Sequence, residues 1–481
     1  MSAAKSFTRL WSNATAWGNV SLHGGGLNMK ILHLFHSRTL LPEQLNEKNQ
    51  IVDRRILGCD RFKFGIGSIM YQSEEVGLTP LHTLLIRILG GNDVHIGLVG
   101  GAGSLSSLVQ WLGAVFLKKS RSNRIAMNYA LGLGILFGLI MAGALFLRGM
   151  NQITTITAIA IYLIGAYGLA AASGIQMNIE SSWIGDLVPS NMLGWFTSMK
   201  WIVASLGMLF FTLLFGQVAD YSPEASTFAF LFLFVAVSHV IAIFVMSTVT
   251  DRIPQSTKTR QSDMGEQERI NYRSPVLWYY NWFYLTWAGG RTALMTFSTA
   301  YMLDLGFSMT KITLIIGLQV AINLGMLLIM GRITDRFGAR LPLILISGGI
   351  AVSMLLWVAS AWWGLVALIV YQVINGAAGN THSMLAINYG LEIFPAKGRA
   401  AYIGFSRAFT GLSALGASIV SGIIMDSFSG CRITVGNITF NHYHIFFLGC
   451  TLFTASCIIP LLLAGKNVVH NYKIDTKNKY V

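Results

Sequence analysis

Leu89-Gly90-Gly91-Asn92-Asp93-Val94-His95-Ile96-Gly97-Leu98-Val99-Gly100-Gly101 returns, 216 residues on, as Leu305-Gly306-Phe307-Ser308-Met309-Thr310-Lys311-Ile312-Thr313-Leu314-Ile315-Ile316-Gly317. The Leu-Gly pair, the isoleucine and the last glycine keep their places. A second stretch repeats at an offset of 206: Asp186, Pro189, Phe196 and Asp220 align with Glu392, Pro395, Tyr402 and Asp426. Two similar hydrophobic halves in one chain are the mark of a duplicated transporter, in which the solute site lies between the repeats near the bilayer midplane.

Composition agrees. Of 481 residues 53% are hydrophobic and 11% charged, with a mean hydropathy of +0.57. A soluble chain carries about 25% charged residues, so this is an integral membrane protein. The net charge of +14 does not point to nucleic acid, because the cations cluster between apolar stretches. Lys118, Lys119, Arg121 and Arg124 form one group, Arg332, Arg336 and Arg340 another, Lys397 and Arg399 a third. This is the bias of loops on the cytoplasmic side. The cysteines Cys59, Cys431, Cys450 and Cys457 have neither CxxC nor metal-ligand spacing, so no metal site or disulfide framework is expected.

Apolar stretches of about 20 residues, each able to cross a core of about 30 Å, predict an all-α membrane protein. About 12 transmembrane helices form two pseudo-symmetric six-helix bundles around a central cavity. The expected spans are 62–88, 94–117, 125–147, 153–177, 196–219 and 228–249, then 276–301, 312–330, 341–359, 365–389, 401–425 and 443–463. Residues 1–61 read as a cytoplasmic N-terminal extension without a secretory signal, in which Met29 is an alternative start. Residues 62–250 form the first bundle, 251–275 a polar cytoplasmic linker, 276–465 the second bundle and 466–481 a cytoplasmic tail. An even number of spans puts both termini on the cytoplasmic side.

Between the eighth and ninth spans the chain reads Gly331-Arg332-Ile333-Thr334-Asp335-Arg336-Phe337-Gly338-Ala339-Arg340. This resembles the signature loop of the major facilitator superfamily: glycine, an acid four positions on, then arginine, glycine and a base. The resemblance covers roughly residues 62 to 465. It implies a gate in which Asp335 accepts hydrogen bonds from a helix start in the opposite half, where free N–H groups and the dipole favour an anion. Gly331, Arg336, Gly338 and Arg340 complete that gating loop. Lys119 stands where the first half would carry the matching acid, so the gate is expected to be asymmetric. The segments ending in Asp186-Leu187-Val188-Pro189 and Glu392-Ile393-Phe394-Pro395 read as elbows, whose acids pair with Lys200, Arg399 or Arg407.

Ionisable groups within a span are costly and persist facing a polar cavity or a partner. Glu74 and Glu75 fall near the centre of the first span and Arg291 near that of the seventh. Glu75 and Arg291 are 216 residues apart, so they occupy equivalent places in the two halves. The first and seventh spans face each other in the superfamily, which puts the acid and base within pairing or substrate-clamping reach. Burial raises a carboxyl's proton affinity and a nearby guanidinium lowers it, so solute arrival at Arg291 would couple to proton movement at Glu74 or Glu75. Gln176, Gln372, Asn375, Asn380 and His382 are further cavity candidates. Gln176 and His382 match at the 206 offset, and interhelical hydrogen bonding is the plain alternative. Trp287, one turn before Arg291, is placed to stack on a ligand ring.

The expected function is secondary active transport of a small solute by alternating access: proton- or cation-coupled (H+ or Na+) import of a polar solute such as a sugar. Proton-coupled multidrug efflux is the alternative within transport, and a non-transporting receptor or scaffold the alternative outside it. No GxxxxGK[ST] loop, catalytic triad or metal-ligand spacing occurs, so no enzyme and no cofactor are expected. The remaining expectations are a monomer in contact with membrane lipid, in a bacterial inner (cytoplasmic) membrane.

Overall fold

The computed structural model describes residues 50–72, 79–120, 122–251, 270–337, 339–395, 399–435 and 438–463. Fourteen helices lie among them. In the first half they are α1 (Arg54–Tyr71), α2 (Thr79–Ile88), α3 (Asp93–Val109), α4 (Leu112–Lys119), α5 (Asn123–Gly149), α6 (Thr155–Leu187), α7 (Ser190–Tyr221) and α8 (Ala225–Ser247). In the second they are α9 (Pro275–Asp304), α10 (Met309–Phe337), α11 (Arg340–Trp363), α12 (Leu365–Ile393), α13 (Arg399–Ser427) and α14 (His442–Ala455). With α1 and α2 sharing the first span and α3 and α4 the second, the order is that of twelve spans. Among the described residues seven helices are long and apolar enough to cross a membrane, or eight with the α3–α4 pair, which is bent by 50°. The helix α9 is not among them, because its Trp, Tyr, Asn and Arg residues lower its hydropathy.

Helix boundaries follow capping chemistry more than hydropathy. Asp53, Asn92, Ser122 and Thr154 each accept a backbone N–H at the start of α1, α3, α5 and α6, satisfying donors that a helix start leaves free. The first helix therefore begins at Arg54, within the expected extension. Hydropathy ends the fourth span at 177, yet α6 continues to Leu187 and keeps Gln176 and Glu180 helical. Its first breaker is Pro189, which is also the N-cap of α7. Similarly, α10 runs to Phe337 and α11 starts at Arg340, so most of the expected gating loop is backbone helix. The repeated Leu-Gly pairs turn the chain out of α2 and α9. Gly90 has φ +77° and Gly306 +80°, a region that costs glycine nothing and other residues strain.

Between α13 and α14 the chain holds a hairpin, β1 (Arg432–Val435) with β2 (Ile438–Asn441), in the register Ile433↔Phe440 and Thr434↔Thr439. It is the one sheet among the described residues. Its β-branched and aromatic residues suit extended backbone.

Both elbow acids hydrogen-bond to helix starts. Asp186 Oδ2 accepts from Asn123 Nδ2 at 3.1 Å, at the start of α5. Glu392 Oε1 accepts from Ala339 N at 2.9 Å, at the N-cap of α11. Each acid thus anchors the same helix start in its own half. Lys200, the expected partner of Asp186, is instead drawn to Glu180.

The apolar core is unevenly divided along the membrane normal. At the end carrying the α2–α3 and α9–α10 turns, one cluster spans both halves, from Leu85, Ile96, Phe215 and Phe228 to Phe297, Ile312, Met425 and Tyr443. At the opposite end the described residues form two clusters. One holds only first-half residues, such as Phe64, Trp183 and Phe196. The other holds only second-half residues, such as Phe283, Tyr389 and Phe394. The halves meet through α3 on α13 and α7 on α10. A Cβ at Gly97 would touch Gly422, and one at Gly411 would touch Leu108, so α3 follows α13 almost to its own end. There the bend turns α4 onto α6, away from the other half.

Candidate functional site

Trp287 and Arg291 lie one turn apart on α9. Gln372, Asn375, Gly379 and His382 recur on α12 at three- and four-residue spacing, hence on one face. The two helices run antiparallel in contact. Tyr280 Oη donates to Ala386 O at 2.7 Å. Next along, Trp287 stacks on His382 with ring centroids 3.5 Å apart and planes inclined 16°. Further along, Arg291 Nη2 donates to Asn375 Oδ1 at 3.1 Å. Arg291 is sixteen residues from Pro275 and thirteen from Asp304, about 24 and 20 Å along the helix axis at 1.5 Å per residue. It therefore sits at mid-span.

This stripe is buried but under-bonded. Trp287 is 5% exposed, Gln372 2%, Asn375 0% and His382 1%. Gln372 Oε1, Asn375 Nδ2, His382 Nε2 and Arg291 Nε have no hydrogen-bond partner among the described residues. Buried polar atoms without partners each cost about 1–3 kcal/mol, so such a cluster calls for something to bind. The Arg291 guanidinium also lies 5.9 Å from the Trp287 ring centroid. With His382 on one face and this cation near it, Trp287 is held as part of the wall.

The other sequence candidates fall elsewhere. Gln176 donates through Nε2 to Ala130 O at 2.9 Å, binding α6 to α5 inside the first half, so the 206 offset does not bring it to His382. Arg340 reaches the end of the last span, with Nη2 3.2 Å from Leu461 O. Glu74, Glu75 and Gly338 and the side chains of Asn380, Asp335 and Arg336 lie outside the described residues, and Gly331 is described only as helical backbone.

Three sets of contacts escaped the sequence reading. Lys200 Nζ and Glu180 Oε2 pair at 2.5 Å, and Ser68 donates to Glu180 Oε1 at 2.8 Å. This ties α1, α6 and α7 through a pair that is 3% exposed at each residue. Asn323, on α10, borders the recess above Gly379. The third group closes the shared-core end between the halves. Arg87 grips Asp304 at 2.5 and 3.0 Å and donates to Tyr443 Oη at 3.0 Å. Asp220 accepts from Met309 N at 2.7 Å, Thr310 N at 2.8 Å and Thr310 Oγ1 at 2.6 Å. The signal for these was their position beside the repeated turns, where the halves must meet.

An apolar groove of about 670 Å³ lies between α9, α13 and α14, lined by residues such as Gly289, Ala293, Leu412 and Phe453. Its hydroxyls are spent, Ser413 on Leu285 O and Ser421 on Ser418 O. It offers little with which to orient a polar solute.

The chain matches the family model of the Major Facilitator Superfamily over residues 66–389 and again over 288–478. Among solved structures, it resembles a point mutant of the nucleoside transporter NupG with a TM-score of 0.61 and 15% identity, covering 85% of this chain and 99% of that one. It resembles the inward-open xylose transporter XylE from E. coli with a TM-score of 0.61 and 12% identity, covering 85% and 96%. A bacterial homologue of the human lysosomal transporter Spinster, inward-facing and unoccupied, matches with a TM-score of 0.58 and 14% identity, covering 86% and 95%. At these identities the likeness is one of fold. No curated protein matches the chain.

Proposed function

We propose that this chain, which belongs to the major facilitator superfamily, imports a polar solute by alternating access, coupled to proton or cation entry, with the Arg291 stripe as its binding surface. The observation that carries this reading is the division of the core: one cluster shared by both halves at the Arg87–Asp304 end, and one cluster per half at the other. Such a molecule is joined at one end and can part at the other. The cationic segment Lys118-Lys119 lies at the parting end, where the positive-inside rule assigns the cytoplasm.

The chemistry follows from the stripe. A solute entering between the halves meets Arg291, Asn375 and Gln372 at mid-span, and its polar groups satisfy atoms that are otherwise bare. Proton coupling is assigned to Glu74 or Glu75 by the repeat register alone. Purified protein in proteoliposomes with an imposed pH gradient tests both parts. Gradient-driven uptake is expected to be lost in Glu75→Gln while solute counterflow persists, and both activities are expected to fall in Arg291→Gln. Unchanged uptake in both variants refutes the coupling scheme.

A further inference from the structure

The recess above Gly379 is the most unusual feature of the stripe. A Cβ at that glycine would meet nothing nearer than Arg291 Nη2 at 3.5 Å, Asn375 Oδ1 at 3.8 Å and Asn323 Nδ2 at 4.0 Å. Three helices, α9, α10 and α12, thus converge on a small space whose nearest walls are one guanidinium and two amides. Among the described residues no carboxylate pairs with Arg291, and its Nε is buried without a partner. Asn375 spends its oxygen on the guanidinium and leaves Nδ2, a donor, unused.

A buried cation is stable when an anion of matching geometry completes it. A guanidinium presents a planar fork that two carboxylate oxygens fit, and charge-assisted pairs of this kind are among the stronger polar contacts. Two of the three atoms nearest the recess, Arg291 Nη2 and Asn323 Nδ2, are donors, and the bare atoms of Arg291 and Asn375, Nε and Nδ2, are donors too, as an acceptor-only ligand requires. One guanidinium balances one negative charge, which favours a carboxylate over a phosphate dianion. We infer that the Gly379 recess binds the carboxylate of a monoanionic organic solute, held by the Arg291 fork and Asn375 Nδ2.

This inference rests on the stripe being the solute site, and the test separates the two. Melting temperature of the full-length purified protein is measured with lactate, gluconate and benzoate, each against its uncharged amide or alcohol counterpart, at matched ionic strength up to about 50 mM, a range that detects even weak millimolar binding. At least one carboxylate should raise the melting temperature where its neutral partner does not, and Arg291→Gln should abolish that shift. Arg291→Lys should weaken it about 10- to 100-fold, since one charged hydrogen bond contributes about 1.5–3 kcal/mol.

Gly379→Ala guards against misfolding. Its methyl has ordinary contact distances and improves helix propensity, so the protein should fold while the recess is filled and carboxylate affinity drops. If neutral members bind as well as acids, and Arg291→Gln and Gly379→Ala weaken both, the carboxylate inference fails and the site reading stands. If carboxylate binding is indifferent to both variants, or no carboxylate shifts the melting temperature, the inference is overturned. In the first of those cases the site reading falls as well.

Discussion

Replacing Asp220 by alanine should open the end at which the halves are joined. Asp220 closes α7 and spans to the first turn of α10, where it accepts three hydrogen bonds from Met309 N, Thr310 N and Thr310 Oγ1 at 2.6–2.8 Å. These are bonds between halves, and a carboxylate at a helix start also meets the positive end of the dipole. Its side chain is exposed, so each bond is taken at the low end, about 0.5 kcal/mol, with about 0.5 kcal/mol more from the dipole. The total is about 2 kcal/mol, or about 30-fold in the ratio of closed to open forms. A population about 99% closed would fall to about three-quarters closed. Asp220→Asn, which keeps the shape but loses the charge, should lie between the two. Spin labels on cysteines placed at Met150 and Trp362, which are 65% and 52% exposed at the ends of α5 and α11, report the separation by pulsed electron resonance. A longer-distance population should appear in Asp220→Ala. Arg87→Ala should add less, because that pair is 27% and 45% exposed and such pairs contribute about 1 kcal/mol or less. An unchanged distance distribution in the double variant would refute the latch.

The buried Lys200–Glu180 pair gives a second expectation. Lys200→Met or Glu180→Gln alone should destabilise the protein by about 3–5 kcal/mol, because each leaves an uncompensated polar group, whereas the double replacement by Met should cost less than either. Unfolding of the detergent-solubilised variants decides this, and additive losses would show the two residues to be uncoupled. Gly174 gives a third. A Cβ there would overlap the carbonyl of Ser106, a backbone group of α3 that cannot rotate away. Gly174→Ala should therefore force α3 and α6 apart and lower stability by about 1–3 kcal/mol or more, whereas Gly132→Ala, with open space around it, should not. Equal melting temperatures for these two variants would contradict the packing described.

The sequence by itself determined the duplication, the membrane class and the polar face of α12. Each rests on local chemistry. A repeated glycine keeps its positive φ in both copies, a long apolar run seeks lipid, and the α-helical period places Gln372, Asn375 and His382 on one side. It read the elbow acids as structural, and of the three bases it named for them Lys200 goes to Glu180 instead. Asp186 is one residue from the end of α6 and Lys200 ten residues into α7, and proximity in sequence does not say which of two polar groups the fold brings into range. The Lys200–Glu180 pair, the Trp287–His382 stack and the Gly379 recess are each made by side chains on different helices. Their geometry depends on rotation and depth of packing, which a pattern of hydrophobicity leaves free. The tertiary structure alone decided which end is joined. Both ends of every span carry the same apolar periodicity, and only the assembled core distinguishes the end where both halves share it.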